Sequence, residues 1–255
     1  MSRTRANEAL ITGIGLVSSL GDGVDAHWSQ LSGIGVAKPV IDEITTSPYP
    51  IHPLGEIAFE DQIPGRGDRR QMGPWQLLGT YAAGLALTDA GVAEDEDAKA
   101  RMDLLVAAGS GERDQESDDA ILDEVQDLPE DEAALNRLMM DTLRPTLFLA
   151  QLANLLAGNI SIVHKVTGSS CTIMGAEMAG VSAVQNAVSK IHSGDAQMVL
   201  VGGAFNAGQN EHVCLMAGLN RLWDKPYRSV WERGRDGGGA SPGSVGAVSY
   251  THLRA

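Results

Sequence analysis

Two short apolar runs flanking one helical stretch constrain this chain more than any other feature. Cys171–Met174 (CTIM) reads as a strand following Gly168. Val181, Val184, Val188 and Ile191 then recur at 3, 4, 3 spacing, which marks one face of a helix that Gly194 closes. Met198–Val201 (MVLV) is a second strand, followed by Gly202 and Gly203. A strand, a helix and a strand in that order imply a parallel pair joined by a crossover helix.

The rest of the chain fits such an α/β pattern. Ala9–Thr12 (ALIT) is an apolar strand ending at Gly13. Gly13 and Gly15 resemble the start of a dinucleotide fingerprint, but Ser18 takes the third glycine's place, so a simple turn is the better reading and no cofactor is expected. Ala26–Leu31 reads as a short helix and Leu54–Gly67 as irregular chain. Pro74 suits the first turn of a helix whose apolar face is Trp75, Leu78, Ala82 and Leu85, with Gly91 as its stop. Leu104–Ala108 is a buried strand. Phe148, Leu149, Leu152, Leu155 and Leu156 line a helix after Pro145 that ends at Gly158, and Ile160–Val163 reads as a strand. Thirty glycines with only 4% aromatics predict tight turns and close packing of small apolar residues, and 43% hydrophobic residues supply the core.

The formal charge of -14 argues against nucleic acid, which calls for a basic face. Eleven of the 21 residues from Glu112 to Glu132 are acidic against one arginine, which reads as a solvated helical excursion or, more sharply, a docking surface for a basic partner. Two cysteines, Cys171 and Cys214, provide neither a disulfide framework nor metal spacing. The N-terminus lacks the apolar core of a signal peptide, and no apolar run is long enough to span a bilayer. A soluble, cytoplasmic protein is expected.

In a strand–helix unit the reactive position is the sharp turn into the helix, where the helix N-terminus stabilises negative charge. The helical period extends back to Met178 or Glu177 but not to Cys171. Gly175 and Ala176 are the small residues at the bend, so Glu177 stands at the elbow. Cys171 lies earlier, on the strand, and reads as an inert, buried small hydrophobe.

ALITGIGLVSSLG, RRQMGPWQLLGTYAAGLALTDAGV, LANLLAGNISI, SGDAQMVLVGGA and RSVWERGRDGG, in that order, resemble the N-terminal part of the β-ketoacyl-acyl-carrier-protein synthases, members of the thiolase-like superfamily. The resemblance covers nearly all of residues 8–247. It implies a layered αβαβα fold, of which this chain holds largely the N-terminal half. It also implies an acyl carrier protein as partner, no cofactor, and a dimer, either a homodimer or a heterodimer with an active ketosynthase, formed through a strand near the nucleophile segment, here 160–174. The family's nucleophilic cysteine falls on Glu177, within Gly175-Ala176-Glu177. A carboxylate there would form a mixed anhydride rather than a thioester, a poor acyl store. The expected function is therefore a non-condensing, chain-length-factor-like partner in fatty-acid or polyketide synthesis. The alternatives are an active synthase using Cys171, a malonyl-thioester decarboxylase, or a carrier-protein binding module without catalysis. Arg66, Arg69 and Arg70 are the expected docking cations for an acidic carrier protein. The family's two histidines and lysine match nothing here. The stretch after Arg235-Asp236-Gly237 departs from the family in placing Pro242 where an acidic residue is usual. Residues 1–247 thus read as the N-terminal part of a ketosynthase domain, and 248–255 (VSYTHLRA) as a non-native tail on a fragment.

Overall fold

The computed structural model describes residues 8–33, 40–126, 132–143, 148–175, 178–229, 232–233 and 248–254. Its centre is a six-stranded mixed sheet. The strands are β1 (Leu10–Ser18), β2 (Gly21–Asp22), β3 (Asp103–Ala108), β4 (Ser170–Met174), β5 (Met198–Ala204) and β6 (Val248–Arg254), in the spatial order β2-β1-β6-β5-β3-β4. β4 and β5 both run parallel to β3, which lies between them; β6 pairs antiparallel with both β1 and β5. The crossover read from the sequence is therefore present, but its two strands flank a third. The segment that resembles no family continuation forms β6, inside the sheet.

The helices are α1 (Gly23–Leu31), α2 (Arg66–Arg69), α3 (Pro74–Asp89), α4 (Glu96–Arg101), α5 (Gln115–Val125), α6 (Glu132–Thr142), α7 (Leu155–His164), α8 (Ala179–Ser193) and α9 (Asn210–Gly218). α3 and α7 cover one face of the sheet and α8 covers part of the other. The apolar run of β3 is buried on both faces, as parallel central strands require: Leu104 and Val106 join the core with α3 and α7, while Leu105 and Ala107 join the core with α8. None of the described helices is long and apolar enough to cross a membrane.

Four readings of the sequence are corrected. β1 does not end at Gly13 but runs to Ser18. Gly13 and Gly15 make no turn; they let the strand approach α3, because a Cβ on Gly15 would lie 2.0 Å from the Ala82 carbonyl oxygen and one on Gly13 would lie 2.4 Å from that of Ala86. α3 has no single apolar face. It is buried almost all round, because the segment carrying Leu54, Ile57, Phe59 and Ile63 packs over it. Ile160–Val163 is helical: Gly158 does not stop α7, whose Leu156, Ala157 and Ile160 face the core, and Phe148 is exposed. Finally, α8 buries Ala179, Ala183, Ala187 and Ile191, so alanines bring it close to the sheet. Val181 and Val184 of the predicted face are exposed and Val188 is half-buried.

Other readings agree with the structure. Pro74 is the first residue of α3, and Gly91 follows that helix with φ +69°. Gly194 closes α8 in the left-handed conformation. The acidic excursion is helical, as α5.

Candidate functional site

The parallel strands β4, β3 and β5 end at Met174, Ala108 and Ala204. In an open α/β sheet, ligands bind beyond the carboxyl ends of such strands. Three connections start there. Gly175 leads towards α8 and donates its N–H to the Ala108 carbonyl at 3.4 Å. Gly109–Glu112 leads towards α5, and Phe205–Gln209 towards α9.

The elbow after β4 lies between Met174 and the first residue of α8, Ala179. The N-cap, Met178, offers no side-chain hydrogen bond, and the first turn of α8 holds no acidic residue among the described ones. Glu177 and Ala176 fall within this elbow in sequence and lie outside the described residues, as does the 235–242 stretch with Pro242. Cys171 is placed clearly. It is the second residue of β4, paired in register with Leu105, and its side chain is exposed rather than buried. The expectation of a buried cysteine fails because β4 is an edge strand that no described element covers on its outer side. Cys214, on α9, is exposed too.

Of the predicted docking cations, Arg66 and Arg70 are exposed at the two ends of α2. Arg69 is half-buried, and its guanidinium donates to the carbonyl oxygens of Ile63 and Pro64, the latter at 3.1 Å. Its hydrogen-bonding capacity is spent partly on holding the local chain, which leaves Arg66 and Arg70 as the outward-facing charges.

Among the described residues Glu112 is the one buried acid at this end of the sheet, and sequence reasoning missed it. It is 5% exposed and is enclosed by Trp75, Ser110, Phe205 and Asn206. Burial pushes its carboxyl up to about 7, although the Asn206 side chain and the Trp75 backbone N–H, at the start of α3, both donate to it. Its Oε1 has no partner among the described residues. The neighbouring chain is held tightly. Gly73 N–H donates to Gln76 Oε1 at 3.1 Å, the Gln76 amide donates to the Leu149 carbonyl at 3.2 Å, and the Trp75 indole donates to the Ala150 carbonyl at 2.9 Å. Gly111 passes so close to Gln151 that a Cβ would meet its Cα at 2.2 Å.

His27 is structural. Its Nδ1 lies 2.7 Å from the Gly23 carbonyl and must donate to it, so Nε2 accepts from the Ser18 hydroxyl, also at 2.7 Å. Both side chains are buried. His164 donates from Nε2 to the Thr80 carbonyl at 2.8 Å, and burial pulls it down to about 4. Among the described residues no group of three or more His, Cys, Asp or Glu could hold a metal ion.

The mixed sheet with its three parallel strands and helices on both faces is an α/β fold, of the thiolase-like kind that the similar solved structures share. Residues 6–243 match the model of the β-ketoacyl synthase N-terminal domain, and the chain belongs to that family. It is similar to 3-oxoacyl-[acyl-carrier-protein] synthase 2 of Vibrio cholerae serotype O1, with 24% identity over 264 residues covering 100% of this chain and 60% of that protein. Two solved structures share its fold. A β-ketoacyl synthase from Burkholderia phymatum STM815 superposes with a TM-score of 0.74 at 21% identity, over 97% of this chain and 59% of the other. The ishigamide ketosynthase/chain length factor superposes with a TM-score of 0.71, also at 21% identity, over 98% and 58%. The chain thus spans about three-fifths of the length of these relatives.

Proposed function

We propose that this chain is the N-terminal part of a non-condensing, chain-length-factor-like relative of the ketosynthases, working beside an active synthase in fatty-acid or polyketide synthesis. One observation carries the reading. The cysteine near the expected nucleophile, Cys171, belongs to β4, eight residues before α8 begins, while the sequence places Glu177 at the elbow itself. A thiolate on an edge strand lacks the helix N-terminus that would stabilise it. A carboxylate at the elbow cannot keep an acyl chain as a thioester. The likeness to a ketosynthase/chain length factor structure supports the same reading at the level of the fold. The decarboxylase alternative shares the missing cysteine and is separated from this reading by assaying release of carbon dioxide from a malonyl thioester.

The bare side of α8 fits a larger protein. Val181 and Val184 of α8 are exposed outside the strip of alanines that meets the sheet, and Met174 and Met178 are exposed as well. A helix apolar on two sides is built to be covered on both. The second half of a layered αβαβα protein would cover it, and the open edge of β4 would pair with a homodimer copy or an active ketosynthase. The carrier protein would meet Arg66 and Arg70; the similar protein of Vibrio cholerae is named as a 3-oxoacyl-[acyl-carrier-protein] synthase.

The test is Glu177→Cys in the full native protein, incubated with an acyl-carrier thioester. The variant is expected to become acylated at position 177 while the parent stays free of acyl chain. Acylation of the parent at Cys171 would overturn the reading in favour of an active synthase, and an inert variant would overturn the placement of Glu177. A second expectation concerns Cys171. In the isolated chain its thiol is expected to react with a maleimide about as fast as a free peptide thiol, and at least about tenfold more slowly once β4 is paired in a dimer. Slow labelling of a chain shown to be monomeric would contradict the exposed edge.

A further inference from the structure

The connections that leave β3 and β5 at the carboxyl edge of the sheet are tied to one another. The Asn206 side chain donates to Glu112, Arg113 lies 3.9 Å from Glu211, and the Asn210 amide donates to Gln115. The Arg113 and Gln115 ties lie at the surface, where such pairs contribute little. The Glu112 tie is the buried one, and it reaches further than the pair. The Trp75 backbone N–H, at the start of α3, donates to the same carboxyl. The Asn206 side-chain oxygen accepts the Gly208 N–H at 3.1 Å in the turn before α9. Gly111, beside Glu112, presses on the Gln151 backbone. One carboxyl group thus joins the start of α3, the β3–α5 connection and the turn into α9.

Among the described residues, the side chains around this carboxyl are uncharged. α3 presents Trp75, the β3–α5 connection presents Ser110, and β5 with its connection presents Ala204, Phe205, Asn206 and Gln209. Arg113, next along the chain, is 56% exposed and turned to Asp118 with hydrogen bonds at 2.6 and 2.8 Å. His212 packs edge-on against the Phe205 ring at 4.9 Å, and burial holds it below its ordinary value. A carboxyl group enclosed in this way, with two neutral donors, one oxygen unpartnered and no cation facing it, is at ease only with its proton. We propose that Glu112 is a pH-sensitive latch, which with its proton holds the β3–α5 and β5–α9 connections together and on losing it lets them part.

The sign follows from linkage. Enclosed, the carboxyl keeps its proton up to about 7; swung out into water it returns to the ordinary 4.5. The closed form is therefore favoured in full below about pH 4.5, loses that advantage as the pH rises to about 7, and changes no further above it. The chain covers 60% of the length of its Vibrio cholerae relative, and the remainder of such a protein or a second copy can lie over these connections. Added cover deepens the burial and favours the proton further, unless it brings a cation to Glu112. The latch rests on the described connections alone and not on the reading of Glu177.

Hydrogen–deuterium exchange of the native protein at pH 5 and pH 7.5 tests it, read by mass spectrometry on peptides covering 109–118 and 205–212 and corrected for the intrinsic pH dependence of amide exchange. Protection of both peptides is expected to fall at least about tenfold from pH 5 to pH 7.5, while that of β3 and β5 holds. In E112Q, which keeps the shape and carries no charge, both are expected to stay level over the same range. The parent carries the pH comparison by itself, so the test survives an E112Q protein that fails to fold. Level protection in the parent would overturn the proposal, and would mean that a cation outside the described residues neutralises Glu112. An equal fall in E112Q would also overturn it, by assigning the opening to another group such as His212. So would a fall shared equally by β3 and β5, which would be loss of the whole fold rather than release of a latch.

Discussion

Gly15→Ala is expected to destabilise the protein by about 3 kcal/mol, near the upper end for an overpacked core position. The single added carbon would sit 2.0 Å from the Ala82 carbonyl oxygen and 2.6 Å from the Ala86 nitrogen. Both are backbone atoms of α3, so no side chain can swing aside. Either α3 retreats from the sheet or β1 bends. α3 cannot retreat cheaply, because Leu78, Ala82 and Ala86 are packed against the sheet on one side and the 54–63 segment presses from the other. For a chain of this length the expected fall in Tm is roughly 6–12 °C. Gly15→Val adds two more carbons in the same place and is expected to leave no cooperatively folded protein. Gly180→Ala is the control. It lies in the first turn of α8 with nothing within 4 Å of an added Cβ, and it is expected to be neutral or slightly stabilising. Thermal unfolding of the three variants decides the matter. A Gly15→Ala protein as stable as its parent would show that the strand and helix do not approach as closely as described.

The same two glycines show what could be read from the sequence and what could not. The apolar run of β3 and the glycine stops of α3 and α8 are local signals, and the structure keeps them. Gly13 and Gly15 are equally visible, but their reason lies in a helix about seventy residues further on, so a turn was the natural inference. The valine stripe of α8 obeys helical period perfectly well. Period alone does not say which strip meets the sheet, and the alanines win because they allow the closer approach. Ile160–Val163 has β-branched residues, yet the periodic burial of Leu156 and Ile160 keeps it helical. The end of β4 at Met174 and the start of α8 next to Met178 were legible because each depends on local pattern alone; Ala176 and Glu177 between them lie outside the described residues. Glu112 was not: it is one carboxylate in a strongly acidic run, and only the distant Trp75 and Asn206 single it out by enclosing it.

That enclosure makes Glu112→Gln the second large effect, and its sign depends on pH. The folded carboxyl holds its proton up to about 7, against an ordinary value of 4.5 once the chain unfolds. The folded state therefore binds the proton more tightly. The stability this provides is complete below about pH 4.5 and is lost progressively as the pH rises to about 7, after which the penalty of a buried, half-partnered carboxylate stays constant. The span of the shift corresponds to on the order of 3 kcal/mol. His164 works the other way: its folded value of about 4 lies below the ordinary 6.5, so its contribution is complete above about pH 6.5 and is lost as the pH falls towards 4. In the parent the two slopes oppose each other between about pH 4.5 and 6.5. Gln keeps an acceptor for the Trp75 N–H and carries no charge at any pH. The variant is therefore expected to match its parent near pH 4.5 and to exceed it by about 2–3 kcal/mol at pH 8, with the His164 slope alone remaining in acid. Urea unfolding of both proteins at pH 5 and pH 8 measures this difference directly. A variant less stable than its parent at pH 8 would mean that the ionised carboxylate is well paired there, and that Asn206 and the start of α3 stabilise its charge more than burial opposes it.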